Sequence, residues 1–294
     1  MPSEKYNEFS NMMLGMRKNQ KQITVKAQRE GDNRIPFVGY CQEGVTYENY
    51  QILGVDVEHL KLVGAPKSDT VIVHIHGGAF MSGSSFATRN FTSTLCYETG
   101  HEVISIDYRL APEHKWPNGL EDCFKVFNHV SKLYKTVYLV GPSAGGNLCC
   151  SMMHKLIDNN CRLPDKVCLM SPTTFFDTEE GTHTDRVSRD PMCGVPNYTT
   201  DKIGFYVEPG TDLRNKYISP LYGDLSKFPE LLIFVGTEEL LFDDSVLLYA
   251  KAVMSGVKAE LVVGEGYMHV FPVMFREFPE IKPYFDKIVH YFAK

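Results

Sequence analysis

The sequence predicts an α/β protein: a mainly parallel, twisted sheet of about eight strands with helices on both faces and a helical cap. Three observations predict it. Short β-branched runs recur along the chain, helix-like segments separate them, and one strand passes through a G-x-S-x-G turn directly into a helix. With 294 residues, 43% hydrophobic and 22% charged, the chain is long enough for one large α/β domain or two small ones, and it is read as one, 1–294.

Residues 1–45 differ in character from the rest of the chain. Phe9 to Arg17 suits an amphipathic helix and Gly31 to Gly39 is loop-like, so this stretch is expected to pack over the main body rather than form a domain of its own. Val45–Ile52 and Val55–Val63 alternate as an antiparallel pair joined near Gly54. Thr70–Ile75 is a continuous β-branched run, expected to be buried on both faces, and Glu102–Asp107 is the next strand. A helix over Asn118–Leu133 leads to a strand at Val137–Val140, and the apolar run Leu148–Ile157 suits a buried helix. Further strands fall at Lys166–Met170, Leu231–Val235 and Ala259–Val263, with helices at Asp243–Met254 and Phe278–Ala293. Only the interval from Phe175 to Leu213 breaks the alternation. An insertion of that length within a compact domain is usually functional, so a cap is expected from about 1–45 together with 175–213.

The chemistry centres on Gly141-Pro-Ser-Ala-Gly145. A sharp strand-to-helix turn forces Ser143 into a strained conformation, and small residues two before and two after it leave the turn room. The helix that follows aims free N–H groups and its positive end at the serine. A hydroxyl is a poor nucleophile without a base, and a developing oxyanion needs donors. His76-Gly77-Gly78 follows the strand ending at Ile75, so the Gly77 and Gly78 N–H groups, with that of Ala144, form the expected oxyanion hole. His76 itself is expected to stabilise the turn. Of ten histidines, His269 stands in a loop just past the last strand, where the order serine, acid, histidine requires the base. The acid should leave the preceding strand, where Glu238, Glu239, Asp243 and Asp244 are all available. Asp243 and Asp244 suit the N-cap of the next helix, which leaves Glu239 preferred.

His76-Gly-Gly-Ala-Phe80, Asp107-Tyr-Arg-Leu-Ala-Pro-Glu113, Gly141-Pro-Ser-Ala-Gly-Gly146, Ser219-Pro-Leu-Tyr-Gly-Asp-Leu225 and Met268-His-Val-Phe271 stand in an order that resembles the hormone-sensitive-lipase-like family of α/β-hydrolases, over about 45–294. The resemblance implies a carboxylesterase acting on small, short-chain acyl esters without a cofactor, under a cap built from the N-terminal segment and the insertion after the sixth strand. The family's acid motif, Asp or Glu followed by x-Leu-x-Asp, can be laid on Glu239 to Asp243. Two positions depart from the pattern. Pro142 replaces the usual Asp before the nucleophile, removing a side-chain hydrogen bond beneath the turn, and the acid is Glu rather than the commoner Asp. Asp107, Arg109 and Glu113 are expected to form a buried ion-pair scaffold.

Two rival functions use the same features: an amidase, formamidase or peptidase on the same triad, and a non-catalytic ligand receptor on this fold. Net charge −6 argues against nucleic acid and against an anionic membrane surface. No apolar stretch approaches the roughly 18 residues of a membrane span, and residues 1–10 lack a signal-like pattern, so no stable membrane insertion and a cytoplasmic location are expected. The eight cysteines form no C-x-x-C pair and read as free, largely buried thiols, with no metal or other cofactor expected. A small-molecule ester is the expected partner, with a homodimer left open.

Overall fold

The computed structural model describes residues 1–18, 24–32, 37–176, 186–194 and 203–293. Eight strands form one sheet: β1 (Val45–Ile52), β2 (Val55–Leu62), β3 (Thr70–Ile75), β4 (Glu102–Asp107), β5 (Thr136–Pro142), β6 (Lys166–Met170), β7 (Glu230–Gly236) and β8 (Ala259–Gly264). Their spatial order is β1-β2-β4-β3-β5-β6-β7-β8. β2 is antiparallel to both β1 and β4, and every other pairing is parallel. The β-branched runs lie in the sheet because both of its faces are covered. Val71, Val73 and Ile75 of β3 join the core on one face and Ile72 joins the core on the other.

The first face is covered by α4 (Asn118–Val130), α5 (Ala144–Asp158) and α6 (Phe242–Met254), through Val126, Phe127, Leu148, Met152 and Leu248. The second is covered by α3 (Ser85–Thr99) and α7 (Lys282–Ala293), through Phe91, Leu95, Phe285 and Ile288. α1 (Glu4–Lys18) packs on this second layer, where Tyr6 lies edge-on to Tyr267 and Phe278. α2 (Val25–Asp32) lies against the loop after β3, and Arg29 donates to the Met81 and Ala111 carbonyls and to the Glu113 carboxylate.

Several expectations change in detail. Gly31 and Asp32 belong to α2 rather than to a loop. The helix expected to run to Leu133 stops at Val130, and the one expected from Phe278 begins at Lys282 after a short 3-10 turn at Pro279–Ile281. α3 is not legible from its apolar spacing, because its buried face includes Arg89, Asn90, Thr92, Ser93 and Thr94. Its signals are at its ends, where Ser84 accepts the Ala87 N–H and Gly100 closes the helix in the left-handed region. The block from Asp107 to Glu113 is no common ion-pair scaffold. Asp107 accepts from the Ser85 N–H and hydroxyl, Arg109 pairs with Asp122, and Glu113 pairs with Arg29 at the surface. The cap expected over 175–213 falls partly on 177–185 and 195–202, outside the described residues.

Candidate active site

The strand order reverses beside β3, and open α/β sheets hold ligands outside the carboxyl ends of their strands at such a point. Every candidate residue lies at that edge, on the loops after β3, β5, β7 and β8. Ser143 joins β5 to α5 with φ 53° and ψ −122°, a conformation that costs a non-glycine residue on the order of 1–3 kcal/mol and must be held by its surroundings. Its N–H donates to the Met170 carbonyl at 2.8 Å, extending the β5–β6 ladder one residue past Pro142. The glycines around it are required by close approach. A Cβ on Gly145 would stand 2.0 Å from the Ile75 carbonyl oxygen, and one on Gly141 would stand 2.6 Å from Cys149 Sγ and from the Gly145 carbonyl oxygen.

The structure brings Ser143, His269 and Glu239 together. His269 Nε2 lies 2.9 Å from Ser143 Oγ, and His269 Nδ1 lies 2.7 Å from Glu239 Oε2. A carboxylate only accepts, so Nδ1 carries the proton and Nε2 is left as the acceptor facing the serine hydroxyl. His269 and Glu239 are buried, while Ser143 is partly open to solvent. The other oxygen of Glu239 accepts from the Gly236 N–H at 2.6 Å and the Ser171 hydroxyl at 2.8 Å. Ser171 Oγ also accepts the Val270 N–H at 3.0 Å, so one hydroxyl ties Glu239 to the loop of His269. Sequence reasoning passed over Ser171, and its place one residue beyond β6 at the shared edge was the available signal.

Two of the other three carboxylates near this turn are engaged elsewhere, Glu238 and Asp244. Glu238 makes a two-pronged pair with Arg189, which holds its carboxyl below the usual range. Asp243 and Asp244 lie within the first turn of α6 and neither is its N-cap, a place taken by Leu241 without a side-chain bond. Asp244 is instead buried and accepts the Thr174 and Phe175 N–H groups.

Gly77 lies against the elbow, since a Cβ there would come 3.1 Å from the Pro142 carbonyl oxygen and 3.3 Å from Ser143 Cβ. Gly78 has φ +109° and heads a tight turn whose carbonyl accepts the Met81 and Ser82 N–H groups. Among the described residues the N–H groups of Gly77, Gly78 and Ala144 have no protein acceptor. His76 is buried, contacts the Gly77 carbonyl through Nδ1 and stacks on Tyr108 at 4.2 Å, as a turn-holding residue would. Tyr6 also escaped sequence reasoning. Its hydroxyl accepts the Met268 N–H, next to His269, at 2.8 Å.

Among the described residues no group of three or more His, Cys, Asp or Glu side chains could hold a metal ion. No described helix is long and apolar enough to cross a membrane.

The family model for the alpha/beta hydrolase fold matches residues 72–273. An esterase of Acinetobacter venetianus is 32% identical over 244 residues, covering 79% of this chain and 77% of its own. An acetyl-hydrolase of Streptomyces hygroscopicus is 30% identical over 220 residues, covering 74% and 68%. Among solved structures, a hormone-sensitive lipase from a metagenome library aligns with a TM-score of 0.90 at 27% identity, over 100% of this chain and 98% of that one. Sheet order, strand-edge site and these relationships agree: the chain belongs to the hormone-sensitive-lipase-like family of α/β-hydrolases.

Proposed function

We propose that the protein is a serine carboxylesterase that hydrolyses small, short-chain acyl esters through a Ser143–His269–Glu239 triad and an acyl-enzyme intermediate. The observation that carries this reading is the unbroken relay from Ser143 Oγ to His269 Nε2 and from His269 Nδ1 to Glu239 Oε2, beside three N–H groups without acceptors among the described residues. As Ser143 Oγ attacks the ester carbonyl, its proton passes to His269 Nε2, and Glu239 stabilises the imidazolium. The negative charge that develops on the former carbonyl oxygen is received by the N–H groups of Gly77, Gly78 and Ala144. His269 returns the proton to the departing alcohol, and water then attacks the acyl-serine by the same route in reverse. Residues 1–45 and 175–213 act as the cap and set the acyl pocket. The similarity to an acetyl-hydrolase of Streptomyces supports a short acyl chain.

A serine-directed phosphonate should add one equivalent of mass to the wild-type protein and none to Ser143→Ala, whose circular dichroism should be unchanged. Labelling that persists in the Ala variant would remove Ser143 from its role. A series of 4-nitrophenyl esters should show kcat/KM falling beyond hexanoyl, and a rise out to palmitoyl would exclude the short-chain reading. Matching anilides and N-formyl amines in the same assay distinguish an ester from an amide substrate.

A further inference from the structure

Three residues of the insertion close on the turn that carries Glu239. Arg186 Nη1 donates to the Thr237 carbonyl at 2.7 Å, and its guanidinium lies 4.1 Å from the centre of the Phe242 ring. Arg189 holds the Glu238 carboxylate through Nε and Nη2, at 2.9 and 2.6 Å. Asp190 Oδ2 accepts the Leu240 N–H at 2.7 Å. Thr237, Glu238 and Leu240 are therefore each gripped, and the one residue between them left to face the site is Glu239.

Asp190 is the buried member of this set, with no exposed surface. Its Oδ1 accepts the Met192 and Cys193 N–H groups, both at 2.7 Å, so three backbone donors stabilise one carboxylate. A carboxylate removed from water is expensive unless its lone pairs are filled in this way. The segment also bonds to itself. The Asp190 N–H donates to the Arg186 carbonyl and the Gly194 N–H to the Asp190 carbonyl, and a Cβ on Gly194 would stand 2.2 Å from that same carbonyl oxygen.

We propose that Asp190 is a positioning residue for the triad acid: through the Leu240 N–H it fixes the backbone at Glu239 and so the aim of Oε2 at His269 Nδ1. The inference rests on Glu239 being the acid, as proposed above. A glutamate has one more rotatable bond than the aspartate common in this family, so its carboxylate needs holding at both ends. Gly236 and Ser171 hold the carboxylate, and Asp190 holds the backbone.

The experiment is a double-mutant cycle on the full chain, with 4-nitrophenyl acetate as substrate. Asp190→Asn keeps the shape and the Oδ1 acceptor but can turn an NH2 group toward the Leu240 N–H. It should lower kcat about tenfold to a hundredfold with KM nearly unchanged, the cost expected for a small misplacement of a reacting group. The low-field proton resonance of His269 Nδ1–H should shift or broaden in the same variant. In a Glu239→Gln background the further change Asp190→Asn should alter kcat by no more than about twofold, because residues that act as one unit are not additive. Arg189→Gln tests the same grip from the surface, where folding is not at stake, and should lower kcat by a smaller factor that also vanishes in the Glu239→Gln background. The inference is overturned if both single variants keep wild-type kcat, or if their factors are the same in both backgrounds, which is the behaviour of a merely structural contact. A mild Glu239→Gln would overturn the triad assignment itself, and this inference with it.

Discussion

Ser143 and the two residues that face it are held in different ways. The serine owes its position to atoms of the sheet and of its own helix: β5, β6, the end of β3, and glycines that let these backbones meet at van der Waals limits. His269 and Glu239 stand on loops whose backbone is gripped from segments outside the sheet. Tyr6 of α1 takes the Met268 N–H, and Asp190 of the insertion takes the Leu240 N–H. The loop after β3 is gripped similarly, through Arg29 of α2 on the Met81 carbonyl. The difference teaches that the Ser143 turn is built by steric exclusion within the fold, whereas the loops of His269 and Glu239 take hydrogen bonds both from the sheet edge, at Ser171 and Gly236, and from added chain. The first should fail abruptly when perturbed and the second by degrees.

The most severe test adds one methyl group to the elbow. Gly145→Ala puts a carbon 2.0 Å from the Ile75 carbonyl oxygen, and neither backbone can yield without moving β3 or α5. The loss should reach or exceed the roughly 3 kcal/mol upper end of ordinary overpacking, with phosphonate labelling lost even where protein remains folded. A variant that labels at the wild-type rate would contradict the steric account.

Acid offers a second, graded test, because it separates the body of the fold from one of its clasps. Burial pushes His154 on α5 down to about 4 and His74 on β3 down to about 3, from an ordinary value of 6.5. Both are neutral in the fold, so below pH 6.5 the unfolded chain binds protons that the folded chain does not. Stability is whole above 6.5 and drains as pH falls toward 4, by on the order of 3 kcal/mol for His154 alone. Glu113 behaves oppositely: its bond to Arg29 draws its carboxyl to about 2 from 4.5, so what that pair contributes is present above 4.5 and lost only as pH falls from there toward 2. Urea midpoints measured from pH 7.5 to 4.5 should fall, and His154→Gln, which keeps a donor for the Pro220 carbonyl, should flatten that fall. Parallel curves for the two proteins would rule His154 out as a source of the acid loss.

The mildest test is Tyr6→Phe. It keeps the ring contacts with Tyr267 and Phe278 but leaves the Met268 N–H buried without its acceptor. About 1–3 kcal/mol of stability should be lost, together with a several-fold drop in kcat and an unchanged KM. A drop in melting temperature with kcat intact would show that α1 supports the fold without positioning His269.

Legibility in the sequence divides along the same line. The elbow could be read because strand, turn and helix are contiguous, and the steric demand falls on residues two positions either side of Ser143. The approach of His269 to Ser143 could be read from its place after the last strand. The preference for Glu239 among four carboxylates rests partly on assigning Asp243 and Asp244 to a helix cap that neither provides. The grip on the acid turn was not legible. Arg186, Arg189 and Asp190 lie in a stretch without hydrophobic period, about 50 residues from their partners, and nothing local distinguishes them from solvated surface charges. The Asp107–Glu113 block misled for a similar reason, since charges close in sequence found separate partners in α3, α4 and α2.

The contacts of α1 also bear on the order in which the molecule is assembled. The Ser3 N–H donates to Glu280, Lys5 Nζ to the Glu277 carbonyl, and Met268 N–H to Tyr6, closing spans of 277, 272 and 262 residues. Loop entropy rises only logarithmically with span, so these contacts are tolerable in the folded protein, but they cannot form before residues 268–280 exist. Tyr6 thus depends on contacts of high sequence separation, whose closure entropy must be met before they add stability. The backbones that crowd the Ser143 turn all lie between Ile75 and Pro172, whereas the loop of His269 follows β8. Synthesis order thus lets the turn at Ser143 close before the loop of His269 can be tied to α1.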